Sequence, residues 1–189
     1  MKKSIKNISS IQSGIFAKPM AEGDIVYLQA KYFDDNGLLT AILHPDLKRN
    51  NISKKHLLQH GDVLFSSKGS KNFATWYEEK NLPAVASTSF FVIRLTEKNH
   101  TVILPEFLAW SINQPEAQKF LKGKATGTAM ASISKTALEE LEIFIPPLAT
   151  QNQILLLTSL LRKEKELKAR IEQLKEKNIQ QQIFKAINK

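Results

Sequence analysis

The stretch PPLATQNQILLLTSLLRKEKELKARIEQLKEKNIQQQIFKAINK, Pro146 to Lys189, decides how the chain is organised. Beyond Pro147 it holds neither glycine nor proline, so nothing in it interrupts a helix. Pro146 and Pro147 keep the chain before it extended. Thr150 and Gln153 have the spacing of a capping box. One helix is therefore expected from about residue 150 onward, about 38 residues and about 57 Å long. Leu160, Leu167 and Leu174 recur every seven residues, and Leu157, Glu164, Ile171 and Asn178 fill the alternate positions. This is a seam of 3-4 spacing, broken by the polar residues Glu164, Asn178 and Gln181. A single small domain does not cover a rod of that length. Leu157, Leu160, Leu167, Ile171 and Leu174 are thus expected to face a partner helix, from a second copy or another chain. The polar breaks make this a paired helix, a coiled coil only in the loose sense. The bland alternative is a helix folded back on its own domain.

Working outward, the 189 residues divide near position 149. Residues 1–149 hold all seven glycines, all seven prolines, both tryptophans and all three tyrosines. They carry 18 basic and 14 acidic residues, against 9 and 4 in residues 150–189. The expected domains are a compact head over 1–148 and a long helix over 149–189. Within the head, Asp24–Ala30, Asp62–Phe65, Phe90–Leu95 and Glu142–Ile145 are β-branched or aromatic and read as strands. Gly23-Asp24 and Gly61-Asp62 place turns before two of them. Leu104–Asn113, with Pro105 at its first turn, reads as a helix. So does Pro115–Leu121, with a box-like start at Asn113 and Glu116, and Thr136–Leu141, with Thr136 and Glu139 at the same spacing. Strands grouped early and helices grouped late give an α+β fold class.

The charge narrows the partners. A formal net charge of +9 and a pI near 9.6 favour a polyanion, of which nucleic acid is the commonest. There are no cysteines, so disulfides and cysteine-based zinc sites are excluded and a cytoplasmic location fits. No apolar run follows the lysines of MKKSIKNISSIQSG, so no secretory signal is expected. No stretch approaches about 20 apolar residues, so no membrane span is expected.

A search for chemistry finds none. His56 and His60 have the i, i+4 spacing of a metal pair, but no HExxH pattern surrounds them and surface histidines explain them better. SSKGSK (Ser66–Lys71) lacks the first glycine of a phosphate loop. There is no G-x-S-x-G elbow for a serine nucleophile. No carboxylates cluster beside a lysine in the pattern a metal-dependent nuclease needs. Pro146-Pro147 follows Ile145 where a DNA amino-methyltransferase has Asn or Asp, and no glycine-rich cofactor loop follows a strand. The chain reads as a binder without catalytic residues, cofactors or metal.

The best binding segment is FSSKGSKNFATW, Phe65 to Trp76. Lys68 and Lys71 can neutralise phosphates. Ser66, Ser67 and Ser70 offer hydroxyls to backbone oxygens. Gly69 permits close approach. Asn72 can pair with an adenine edge. Trp76 and Tyr77 are expected to pack in the core. A second segment, KFLKGKATGT, places Lys119, Lys122 and Lys124 before a small-residue turn that includes Thr128. The dipole of a helix C-terminus explains those lysines equally well. Lys48, Arg49, Lys54 and Lys55 form a third basic cluster, for which a solvated face is at least as good a reading as a nucleic-acid contact.

Taken in order, GDVLFSSKGS (Gly61–Ser70), ASTSFFVIR (Ala86–Arg94), PEFLAWSINQPEAQKFL (Pro105–Leu121), GTAMASISKTALEELEIFIPPL (Gly127–Leu148) and the glutamine-rich helix after them resemble the specificity subunit of type I restriction-modification systems. The resemblance covers nearly the whole chain. It implies a target recognition domain that reads one half of a split double-stranded DNA sequence in the major groove. It implies a helix that acts as spacer and as docking site for methyltransferase subunits, and through them the restriction subunit. It implies a subunit with no catalysis of its own. Two features depart from the family pattern. Members carry two recognition domains and two helical regions, whereas this chain has one of each. It therefore resembles a half-subunit that would pair with a second copy through its helix and read an interrupted palindrome. Members also commonly have Glu-Gln where the long helix starts, and here it is Thr150-Gln151. The readings set against this one are a helical assembly adaptor, a stand-alone DNA-binding protein, and a nuclease or methyltransferase with an unrecognised site.

Overall fold

The computed structural model describes residues 1–69, 72–78, 83–127 and 132–187. The chain is α+β and falls into two compact units, Met1–Gln151 and Asn152–Lys189. The division lies three residues beyond the boundary read from the sequence.

The first unit is built on a four-stranded antiparallel sheet. Its strands are β2 (Ser9–Ser13), β4 (Val63–Ser66), β5 (Ala74–Trp76) and β7 (Phe90–Leu95), in the order β2-β7-β4-β5. β4 and β7 read as near-continuous apolar runs because they are the central strands and both faces of the sheet are covered. Val63, Phe65, Ile93 and Leu95 enter one core, and Leu64, Phe90 and Val92 enter the other. The first core is completed by α2 (Pro105–Ile112), α3 (Pro115–Gly123) and α4 (Lys135–Glu140), through Leu108, Ile112, Leu121 and Leu138. On the opposite face, the rings of Phe33, Phe73 and Phe90 lie 5.6 to 6.0 Å apart, tilted or edge-on. There β3 (Val26–Leu28) and β6 (Ala84–Ala86) form a short parallel pair. A third sheet, the antiparallel pair of β1 (Lys2–Ser4) with β8 (Glu142–Phe144), joins the start of the unit to its end. The remaining helices are α1 (Glu97–His100) and α5 (Leu148–Ile187).

β4, β7, β8, α2, α3 and α4 fall where the sequence places them, within two residues. β1, β2, β5 and β6 were not read as strands. They are three to five residues long and rich in Ser or Ala, and pairing with neighbours holds them extended.

The predicted caps are corrected. α3 is capped at Gln114 rather than Asn113. The Asn113 side chain instead serves the backbone of Ala74, with Nδ2 donating to its carbonyl at 2.8 Å and Oδ1 accepting from its N–H at 2.7 Å. It thereby satisfies the open edge of β5. α4 is capped by Ser134, whose Oγ accepts from the Ala137 N–H, and not by Thr136. α5 begins at Leu148, so Thr150 lies inside it and caps nothing. The residue that matters at this start is Gln151, which is fully buried. Its Nε2 donates to the carbonyls of Val102 and Pro146, both at 2.8 Å, and its Oε1 accepts from the Leu104 N–H at 2.9 Å. One amide thus satisfies three backbone groups around the α2 entry and the first turn of α5.

A second pin sits under β7. Arg94 donates to both Asp62 oxygens, at 2.6 and 2.7 Å, and to the Leu57 carbonyl. Asp62 is buried and also accepts from the Gln59 N–H. The hydrogen bond it donates to Asp62 raises the Arg94 guanidinium above its ordinary pKa, against the opposing effect of burial.

The second unit is a helix by itself, continuing α5 to Ile187. With 40 residues, α5 is about 60 Å long. Leu157, Leu160, Leu167, Ile171 and Leu174 are each 50 to 61% exposed. Its charged faces carry Arg162–Glu166, Glu164–Lys168 and Glu172–Lys175 pairs at helical spacing. Such pairs support a helix by about 0.3–0.5 kcal/mol each. Among the described residues no helix is long and apolar enough to cross a membrane.

Candidate nucleic-acid interface

The two lysine-bearing segments singled out in the sequence meet in the tertiary structure. β4 delivers the chain to Ser67 and Lys68. Ser67 accepts from the Ile133 N–H through its carbonyl at 2.9 Å, and Lys68 forms an antiparallel bridge with Ser132. Ser132 also bridges Thr126, with the two N–H···O bonds at 2.9 and 3.0 Å. Lys68 and Thr126 therefore flank one residue, although 58 positions separate them in sequence. On the other side of β4, the Ser67 N–H and Oγ both donate to the Ser89 carbonyl, at 2.9 and 3.2 Å. Ser89 Oγ lies 2.6 Å from Ser87 Oγ. One continuous polar rim results, running from Ser87 through Ser89, Ser67 and Lys68 to Ser132 and Thr126.

Individual residues sort differently from their sequence reading. Lys68 is exposed. Gly69 follows it at φ +92°, with nothing within 4 Å of where a Cβ would stand. The left-handed turn explains the glycine, and the open space leaves room for a ligand backbone. Lys122 is exposed at the end of α3. Ser66 is fully buried and Ser67 nearly so, which corrects their reading as phosphate-facing hydroxyls. Their place at the buried end of β4 turns them inward. Asn72 is half-buried, and its Nδ2 donates to the Ser66 carbonyl at 3.0 Å. Its amide closes the loop, which works against its reading as a base-edge reader. Lys124 is half-exposed but paired with Glu140, with its ammonium 5.0 Å from the Phe120 ring centre. The hydrogen bond from Lys124, and then its charge, hold the Glu140 carboxyl below the usual range. Ser70, Lys71 and Thr128 lie outside the described residues. Trp76 and Tyr77 pack in or against the cores, as expected. His60 meets the edge of Trp76 at 5.9 Å. Among the described residues no three of His, Cys, Asp or Glu gather as a metal site.

What this rim can do chemically is bind. It offers the exposed Lys68 ammonium and the exposed Thr126 on a fixed backbone. The model of the family described as type I restriction modification DNA specificity domain matches residues 4–176. The chain belongs to this family. The solved structures it resembles agree in fold. The HsdS subunit from Thermoanaerobacter tengcongensis aligns with a TM-score of 0.64 at 18% identity, over 88% of this chain and 43% of that one. The type I restriction-modification S subunit from M. genitalium aligns with a TM-score of 0.59 at 17% identity, over 86% of this chain and 39% of that one. A chain from a structure concerned with complex assembly and conformational transition of the type I system aligns at 0.58 and 16% identity, over 87% and 38%. This specificity domain thus spans about two fifths of the length of those chains. No curated protein matches it significantly.

Thr126 and Ser132 escaped the sequence reading. Both are small polar residues in a turn-rich segment, and nothing local marks them as partners of Lys68. Glu140 was missed for the same reason, since its pairing with Lys124 arises only when α4 packs beside the end of α3.

Proposed function

We propose that this specificity domain reads one part of a split duplex DNA target through the rim that carries Lys68. In this reading α5 pairs two copies and docks the methyltransferase subunit, and through it the restriction subunit. Catalysis resides in those partners. The observation that carries the reading is the pairing of both Lys68 and Thr126 with Ser132 in a chain of the DNA specificity family. Lysine supplies the salt-dependent phosphate contact and fixes register. Neighbouring side chains supply the sequence preference.

The seam of α5 supports a two-fold pair and an antiparallel one. Set antiparallel, Leu157 meets Leu174 of the second copy, Leu160 meets Ile171, and Glu164 meets Leu167. All five apolar seam positions are then used. Glu164 lies beside Lys163 and Lys168 of the second copy. Set parallel, the seam would press Glu164 against its own equivalent, two carboxylates in one apolar layer. Two recognition domains related by a two-fold axis would read an interrupted palindrome.

The test is selection from a randomised duplex pool with the full chain, followed by titration of the enriched duplex at several salt concentrations. A single enriched motif with a steep salt slope is expected. Lys68→Ala should weaken binding to enriched and unrelated duplexes alike and lower the slope by about 0.9. No enrichment, or affinity indifferent to salt, would overturn the proposal.

A further inference from the structure

Phe16 has no role in the fold, yet the structure holds it in place. It is 87% exposed, in a unit whose other phenylalanines are mostly buried. Leaving such a ring in water forgoes about 1.5–3 kcal/mol that burial would return. The backbone on both sides of it is fixed. The Gly14 N–H donates to the Phe90 carbonyl and the Ile15 N–H to the Ala86 carbonyl, both at 2.9 Å. Ile15 bridges Ser87 in parallel. A Cβ on Gly14 would stand 2.0 Å from the Ser87 carbonyl oxygen, so only glycine permits this approach. The buried Tyr27 hydroxyl then brackets the phenylalanine. It donates to the Ile15 carbonyl at 2.9 Å and accepts from the Ala17 N–H at 3.3 Å. A built loop thus presents one aromatic ring outward, with Lys18 exposed two residues on.

The position matters as much as the exposure. Ile15 pairs with Ser87, and Ser87 is linked by hydrogen bonds through Ser89 to Ser67, the residue before Lys68. Phe16 therefore directly follows the residue paired with Ser87, and Thr88, directly after Ser87, is likewise exposed. A surface that reads duplex DNA gains discrimination from an apolar contact, because the thymine methyl group is the apolar feature of the major groove.

We infer that Phe16 is a specificity-determining residue whose ring packs against a thymine C5-methyl at one position of the target, with Lys18 on the adjacent phosphate. The inference rests on the DNA-reading function proposed above.

A double-substitution cycle tests it. The protein arm is Phe16→Ala in the full chain. The DNA arm replaces each thymine of the enriched duplex in turn by deoxyuridine, which removes only the methyl. One such replacement should weaken the wild-type protein about fourfold, the equivalent of about one buried methyl. Phe16→Ala should bind the thymine duplex about tenfold more weakly and should be indifferent to that same replacement. Phe16→Leu should recover part of the loss. Thermal midpoints of both variants should match the wild type, since the ring packs on nothing. If Phe16→Ala binds the enriched duplex as tightly as the wild type, the inference fails while DNA reading stands. A loss of affinity that leaves the response to deoxyuridine unchanged also overturns it, and points to an intercalating wedge. If the wild type enriches no motif, the function itself has failed first.

Discussion

Gln151 gives the most direct test of how the first unit is held together. In Gln151→Leu the volume is nearly kept, but three backbone groups lose their partner. The Pro146 carbonyl is buried, and stranding it costs about 1–3 kcal/mol. The Leu104 N–H and Val102 carbonyl are part-buried, so water relieves them in part, and each loses about 0.5–1.5 kcal/mol. The expected destabilisation is about 2–6 kcal/mol. Urea unfolding followed by tryptophan fluorescence measures it, because Trp76 and Trp110 both lie in the first unit. The midpoint should fall while the slope stays constant. Gln151→Glu keeps the acceptor for Leu104 and turns a carboxylate toward two carbonyls, so it should be at least as damaging. Thr150→Ala supplies the contrast. A capping threonine there would cost about 0.5–2 kcal/mol on removal, whereas a residue inside the helix that caps nothing should cost less than about 0.5 kcal/mol. A loss below about 1 kcal/mol for Gln151→Leu, or a larger loss for Thr150→Ala than for Gln151→Leu, would refute the assignment.

Three further outcomes follow from the same structure. Asp62→Ala leaves the Arg94 guanidinium beneath β7 without its partner. It should cost about 2–4 kcal/mol in the same assay, reduced from the value for a fully buried pair because Arg94 keeps some access to water. Glu140→Gln should release Lys124 and steepen the salt dependence of DNA binding by up to about 0.9 in slope. In the wild-type protein the same release follows acidification. The folded carboxyl is depressed, so its pairing is intact above the unfolded value and is lost as pH falls through the folded one. Binding slopes measured across that range should converge for wild type and variant. Replacing Leu167 and Leu174 together by Asp should make the chain monomeric in sedimentation while far-ultraviolet dichroism still shows a folded head. A variant that stays paired would refute the proposed seam.

The long helix was legible in the sequence because its signals are local. Forty residues without glycine or proline, with leucines every seven, specify an exposed amphipathic rod whatever precedes it. β4, β7 and α2 were legible for a related reason: strands buried on both faces need unbroken apolar runs, and Pro105 marks a helix start. The caps were not legible, because several polar residues near each helix start compete for the position and neighbouring elements choose among them. Asn113 went to β5, Ser134 displaced Thr136, and Gln151 took the place given to Thr150. The candidate face was half-legible. Lys68 and Gly69 stand out by composition, but composition does not separate an outward serine from Ser66, or a free lysine from Lys124 paired to Glu140. The sequence by itself determined a basic α+β head carrying an apolar-striped helix, since charge, periodicity and the absence of helix breakers act over a few residues. Only the tertiary structure decided which polar side chains face outward, because Ser132 reaches Lys68 and Thr126 together through long-range pairing that no local pattern encodes.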